Sequence, residues 1–184
     1  MAEVNIASGK RRRRRCVAFI KDQKGATAVE FALIAPAFIA LLVALIQTFL
    51  VFFAQELLEA VVQQSSRLIL TGQVQSQQMS AATFKQAVCG EVVILFNCSG
   101  LMVDVQVVPT LTSTNTSSPT LTYTNGQVSN TWQFNPGTAG DLVVVRVMYL
   151  WPVFLGPLGF NLADQPNNNK LLQATAAFQN EPSS

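Results

Sequence analysis

Side chains able to do chemistry are scarce in this 184-residue chain, and histidine is absent. That removes the commonest general base and the commonest zinc ligand together. An exported hydrolase would need Ser or Asp chemistry without histidine, from scattered candidates such as Asp104, Asp141 and Asp164, and nothing in their spacing forms a recognisable site. Cys89 and Cys98, nine positions apart, could close a covalent staple or supply two thiolates to a metal; two thiols without histidine make a poor tetrahedral set. No catalytic group, cofactor or metal is expected. The most informative cluster is Lys24, Gly25, Ala26, Thr27, Ala28, Val29, Glu30 and Phe31, where a glycine, a carboxylate and an aromatic stand at fixed spacing.

Charge shows what this cluster separates. The net charge is +2, yet eight of the twelve Lys and Arg precede Ala26, including the run Arg11, Arg12, Arg13, Arg14 and Arg15. After Gly25, four basic residues face eight acidic ones. A basic run can bind nucleic acid or set membrane topology. Topology is the better reading, because residues 31–54 follow as FALIAPAFIALLVALIQTFLVFFA, with no charge between Glu30 and Glu56. As a helix this stretch spans about 36 Å, enough to cross a hydrocarbon core of about 30 Å with some tilt. A buried helix of a soluble protein would carry a polar face, and this one is apolar all round. A cleavable secretory signal would have a shorter apolar region and small residues at its end, where Phe52 and Phe53 stand instead. Arg14 and Arg15 lack the following spacing of a twin-arginine signal. The flanking charges predict a cytoplasmic N-terminus and an exported bulk.

The GATAVEF junction at the head of this helix resembles a type IV prepilin site. Its continuation through Pro36, AVEFALIAPAF, resembles the TadE-like minor pseudopilins of the Flp/Tad pilus system. The likeness is strongest from Lys24 to about Leu70 and recurs weakly at Asn180, Glu181 and Pro182. It implies that a membrane prepilin peptidase cuts after Gly25, leaving Ala26 first and Glu30 fifth in the mature chain, with Phe31 following. The physics is compatible with that pattern. Gly25 lets an extended backbone enter a protease cleft, and cutting exposes a cationic amine at a helix N-terminus that already carries partial positive charge. Glu30, one turn on, could pair with its own amine or, as the pilin likeness favours, with a neighbouring subunit's. By itself Glu30 could equally be a carboxylate snorkelling at the bilayer edge. Major Flp pilins are much shorter after the helix, so the resemblance implies a minor, assembly-related component.

The remaining chain should form a small exported domain. The period of QELLEAVVQQSSRLILTG carries the helix to Thr71, with Gly72 ending it; Leu57, Leu58, Val61, Leu68 and Ile69 lie on one side and Gln63, Gln64 and Ser66 largely on the other. That stem should pack on its own sheet rather than on a partner helix. A short helix is expected over 80–88, capped by Ser80, with Gly90 near its end. Strands are expected over 101–108, 142–149 and 171–178, with a hairpin LTYT-NG-QVSNTWQF whose Asn125-Gly126 turn sets Tyr123 opposite Val128. Cys89 and Cys98 fall on the oxidising side and read as a disulfide, whereas Cys16 lies in the leader. Residues 110–118 read as a polar surface loop and 151–162 as an apolar, Pro- and Gly-broken loop. In the latter, Trp151, Phe154 and Phe160 either pack locally or anchor a pilus component or the bilayer surface.

The expected fold class is α+β, a long transmembrane and stem helix followed by an antiparallel sheet and a short helix. Its expected parts are a basic cytoplasmic leader at 1–25, the helix at 26–71 and an exported domain at 72–184. The expected place is the bacterial inner membrane, single-pass, with the C-terminal domain periplasmic or extracellular. Expected partners are the membrane, the prepilin peptidase and other pilins or pseudopilins, without nucleic acid. The competing function is an uncleaved membrane-anchored protein that makes export-side contacts in a secretion or pilus apparatus.

Overall fold

A computed structural model of the chain describes residues 25–92, 95–110, 118–154 and 159–182. The basic leader with Cys16, and most of the 110–118 tract, lie outside the described residues. Helix α1 runs Ala26–Leu70 with Pro36 inside it, α2 is the single turn Gln73–Ser76, and α3 is Ala81–Val92. Strands β1 (Met102–Val108), β4 (Leu142–Pro152) and β5 (Asn169–Gln179) form one antiparallel sheet in the order β1-β4-β5. Strands β2 (Tyr123–Thr124) and β3 (Gln127–Val128) form a separate hairpin. The architecture is α+β, as the sequence pattern implies.

Packing divides the chain into Met1–Val43 and Ala44–Ser184. In the first unit the described residues are helical after Gly25, and the large apolar side chains from Val29 to Val43 are exposed. Helix α1 is long and apolar enough to cross a membrane. That is consistent with a single membrane anchor.

The second unit has one main core. The stem contributes Leu58, Val62 and Ile69; α3 contributes Phe84, Val88 and Val92; the sheet contributes Val105, Val143, Val145, Val147, Leu172 and Ala174. Their parity follows from the register: Val105 pairs with Val145 and Val147 with Ala174, so odd positions of β1 and β4 and even positions of β5 share the core face. The stem thus packs on its own sheet.

Local chemistry explains the boundaries. Gly72, at φ 71°, takes the left-handed conformation that ends α1, and Thr71 and Gly72 N–H close back onto Arg67 and Ile69 carbonyls. Ser80 Oγ accepts from Thr83 N–H at 3.2 Å, the expected cap of α3. Asn125 and Gly126 both have positive φ, and Tyr123 stands opposite Val128 as the turn chemistry requires.

Three details differ from the sequence reading. Ser66 is buried, with Oγ donating to Val62 O at 2.6 Å. It shares the helical stripe of Leu58, Val62 and Ile69, and its small hydroxyl is satisfied within the helix. Helix α3 continues past Gly90 to Val92, because Cys89 and Val92 are buried in the core and outweigh a glycine cost of about 1 kcal/mol. Strand β4 runs through Trp151 to Pro152, into the segment read as loop. Pro152 sits at the very end of the ladder, where a missing N–H is tolerated.

Candidate assembly surface

Residues 26–31 of the junction occupy the first two turns of α1. Gly25 stands immediately before the helix, exposed, and a Cβ built on it meets nothing within 4 Å. The first helical turn holds no acidic residue. Its N–H groups lack intrahelical partners and carry the positive end of the helix dipole. Glu30 is exposed one turn further on, and among the described residues it has no ion-pair partner. Phe31 is 73 % exposed beside it. Ala26, Glu30 and Phe31 therefore lie on the first two turns of α1 with Gly25 just before it, and a carboxylate and an aromatic ring are open to whatever adjoins them.

The far end of the same helix is held by the chain's tail. Glu181 N–H donates to Leu70 O at 3.0 Å, satisfying one of the carbonyls that a helix C-terminus leaves open. Asn180 is buried; its Nδ2 donates to Pro136 O at 2.9 Å and Thr138 O at 3.0 Å, and its backbone bonds Asp141 O and Gly140 N–H. The Asn180-Glu181-Pro182 triplet thus joins the last strand, the 136–141 turn and the stem.

The three aspartates serve three separate local structures. Asp104 (β1) and Arg146 (β4) face each other across the ladder with Oδ2 and Nη2 at 2.8 Å, and Asp104 Oδ1 also accepts from Gln133 N–H at 2.9 Å. Asp141 Oδ2 accepts from the Thr138 N–H and hydroxyl, and these two bonds hold its carboxyl below the usual range. At Asp164 burial pushes the carboxyl up, and bonds from Lys170 Nζ and Leu171 N–H, with the ammonium's charge, more than offset it. Tyr123 is raised by burial and then by the Asp164 charge; its hydroxyl donates to Gln165 Oε1 at 2.9 Å. Cys89 and Cys98 are joined as a disulfide, Cα atoms 5.6 Å apart, tying α3 to the turn Cys98–Gly100. Of the apolar trio near 151–162, Trp151 packs with Phe96 (ring centroids 5.8 Å apart), whereas Phe154 and Phe160 are exposed.

Two polar links escaped the sequence reading. Gln47 Nε2 donates to Phe154 O at 2.6 Å, and Gln55 Nε2 donates to Gln173 O at 2.9 Å. The available signal was polarity out of place: Gln47 stands with Thr48 in an otherwise apolar run.

Comparison with curated proteins and with solved structures found no match. One family model, described as TadE-like protein, matches residues 25–67, which begin at Gly25 and take in the junction, the apolar stretch and most of the stem. Over those residues the chain is similar to the TadE-like protein family.

Proposed function

We propose that this chain is a minor pseudopilin that takes part in assembling Flp/Tad-type pili, and that prepilin peptidase processes it after Gly25. The observation that carries this reading is the coincidence of the TadE-like match with a helix whose first turns leave Gly25, Glu30 and Phe31 exposed. On this reading α1 is a single-pass anchor in the bacterial inner membrane, with the leader cytoplasmic and the α+β domain on the export side. Cleavage frees the Ala26 amine, and Glu30 of one subunit pairs with the amine of the next while the apolar helix faces dock. Desolvation strengthens that pairing, because a charge pair in the bilayer is screened far less than one in water. The chain's role is structural, with no bond-making step of its own.

The intact mass of the protein extracted from membranes tests this. A chain beginning at Ala26 supports the proposal. A chain that retains its leader refutes processing and leaves the competing role, a permanently anchored export-side interaction protein.

A further inference from the structure

Gln47 is turned inward, 9 % exposed, with its amide bound to the Phe154 carbonyl, while the Phe154 side chain is 81 % exposed. We infer that the Phe154 segment is a second membrane contact, seated in the export-side leaflet beside α1. The inference rests on the membrane-anchor reading of α1.

Depth is the first argument. Residues 31–46 are sixteen, and a hydrocarbon core takes about 20 helical residues. With charged Glu30 kept out of the core, the bilayer must extend beyond Gln47. The Phe154 carbonyl is hydrogen-bonded to the Gln47 side chain and lies at that level.

Satisfaction of the backbone is the second. A main-chain polar group within hydrocarbon needs a partner inside the protein. Pro152 has no N–H to satisfy, Val153 N–H donates to Asn168 O at 2.8 Å, and the Phe154 carbonyl receives the Gln47 amide. The same bond pairs the Nε2 of Gln47 and accounts for an amide in an otherwise apolar stretch, while its Oε1 is buried without a partner among the described residues.

The outward surface is the third. Residues 151–163 carry no charge. Phe154 and Phe160 are exposed from this segment, and on α1 Phe49 and Phe53 stack with centroids 5.9 Å apart, Phe49 being 65 % exposed. The Val153 N–H and the Phe154 carbonyl are paired inward and the rings of Phe49, Phe154 and Phe160 are exposed, an arrangement that suits acyl chains better than water. A neighbouring pseudopilin helix is the other possible occupant, and the test separates it.

The full-length chain is reconstituted in phosphatidylcholine vesicles at a lipid excess that isolates single copies, with and without brominated acyl chains. Phe154→Trp and, separately, Phe49→Trp are compared with the unaltered chain, whose own signal comes from Trp132 and Trp151. We expect the added fluorescence of Phe154→Trp to be quenched by the bromines to an extent comparable with that of Phe49→Trp. Quenching of Phe49→Trp alone overturns the inference while leaving the anchor intact, whether water or a partner covers Phe154. Quenching of neither overturns the anchor reading and the inference with it.

Discussion

Removing the Arg146 guanidinium by Arg146→Met tests whether the charge pair on the sheet holds the domain together. The substitution deletes the 2.8 Å contact to Asp104, which is 3 % exposed. Breaking a buried pair from one side costs about 3–5 kcal/mol, because a charge is left without its counterion. Asp104 keeps the Gln133 N–H at 2.9 Å and the Gln106 amide at 2.9 and 3.1 Å, so the lower end, about 3 kcal/mol, applies here. The double variant Asp104→Asn/Arg146→Met retains an acceptor for Gln133 and leaves no buried charge. It should recover at least about 1 kcal/mol of the loss. Urea unfolding of the detergent-solubilised chain, followed by tryptophan fluorescence, reads both. At about 1–3 kcal/mol per molar urea, the single variant should lower the midpoint by about 1–3 M. A midpoint unchanged by Arg146→Met, or a double variant no more stable than the single, would refute the reasoning that the buried carboxylate depends on this counterion.

Glu30→Gln should insert into the membrane as the parent chain does and lose co-purification with other pilus subunits; unchanged co-purification sinks the proposed carboxylate–amine pairing. Cys89→Ala/Cys98→Ala should lower stability by about 2.5–3 kcal/mol, the chain-entropy value for a loop of this length, read from denaturation with and without reductant. Asn180→Ala removes the Nδ2 donor from the Thr138 and Pro136 carbonyls, the latter keeping the Gln75 amide at 3.0 Å, and should cost about 1–3 kcal/mol, with increased hydrogen exchange around Asp141 and Glu181. Asp164 is held below its ordinary value when folded. Its stabilising contribution is therefore present above the unfolded value of about 3.9 and is lost as pH falls through the folded one. Protection of the Leu171 amide should decline in that acidic window in the parent chain, and Asp164→Asn should remove this pH dependence.

Short-range features were open to reading from the residues alone. The stop at Gly72, the Ser80 cap and the Asn125-Gly126 turn depend on a few adjacent dihedral angles, and the apolar run of α1 depends on composition and helical period. The exposed junction is of the same kind, since Gly25, Glu30 and Phe31 stand on neighbouring turns whatever the domain does. Tertiary structure alone decided that Arg146 answers Asp104, 42 positions away, and that the carbonyl of Phe154 meets Gln47, 107 positions away. Those pairings depend on strand register and on where a distant backbone falls, which no local period encodes. Ser66 and Gly90 make the same point from inside a helix: burial against the sheet, not propensity, settled which side Ser66 faces and how far α3 runs past its glycine.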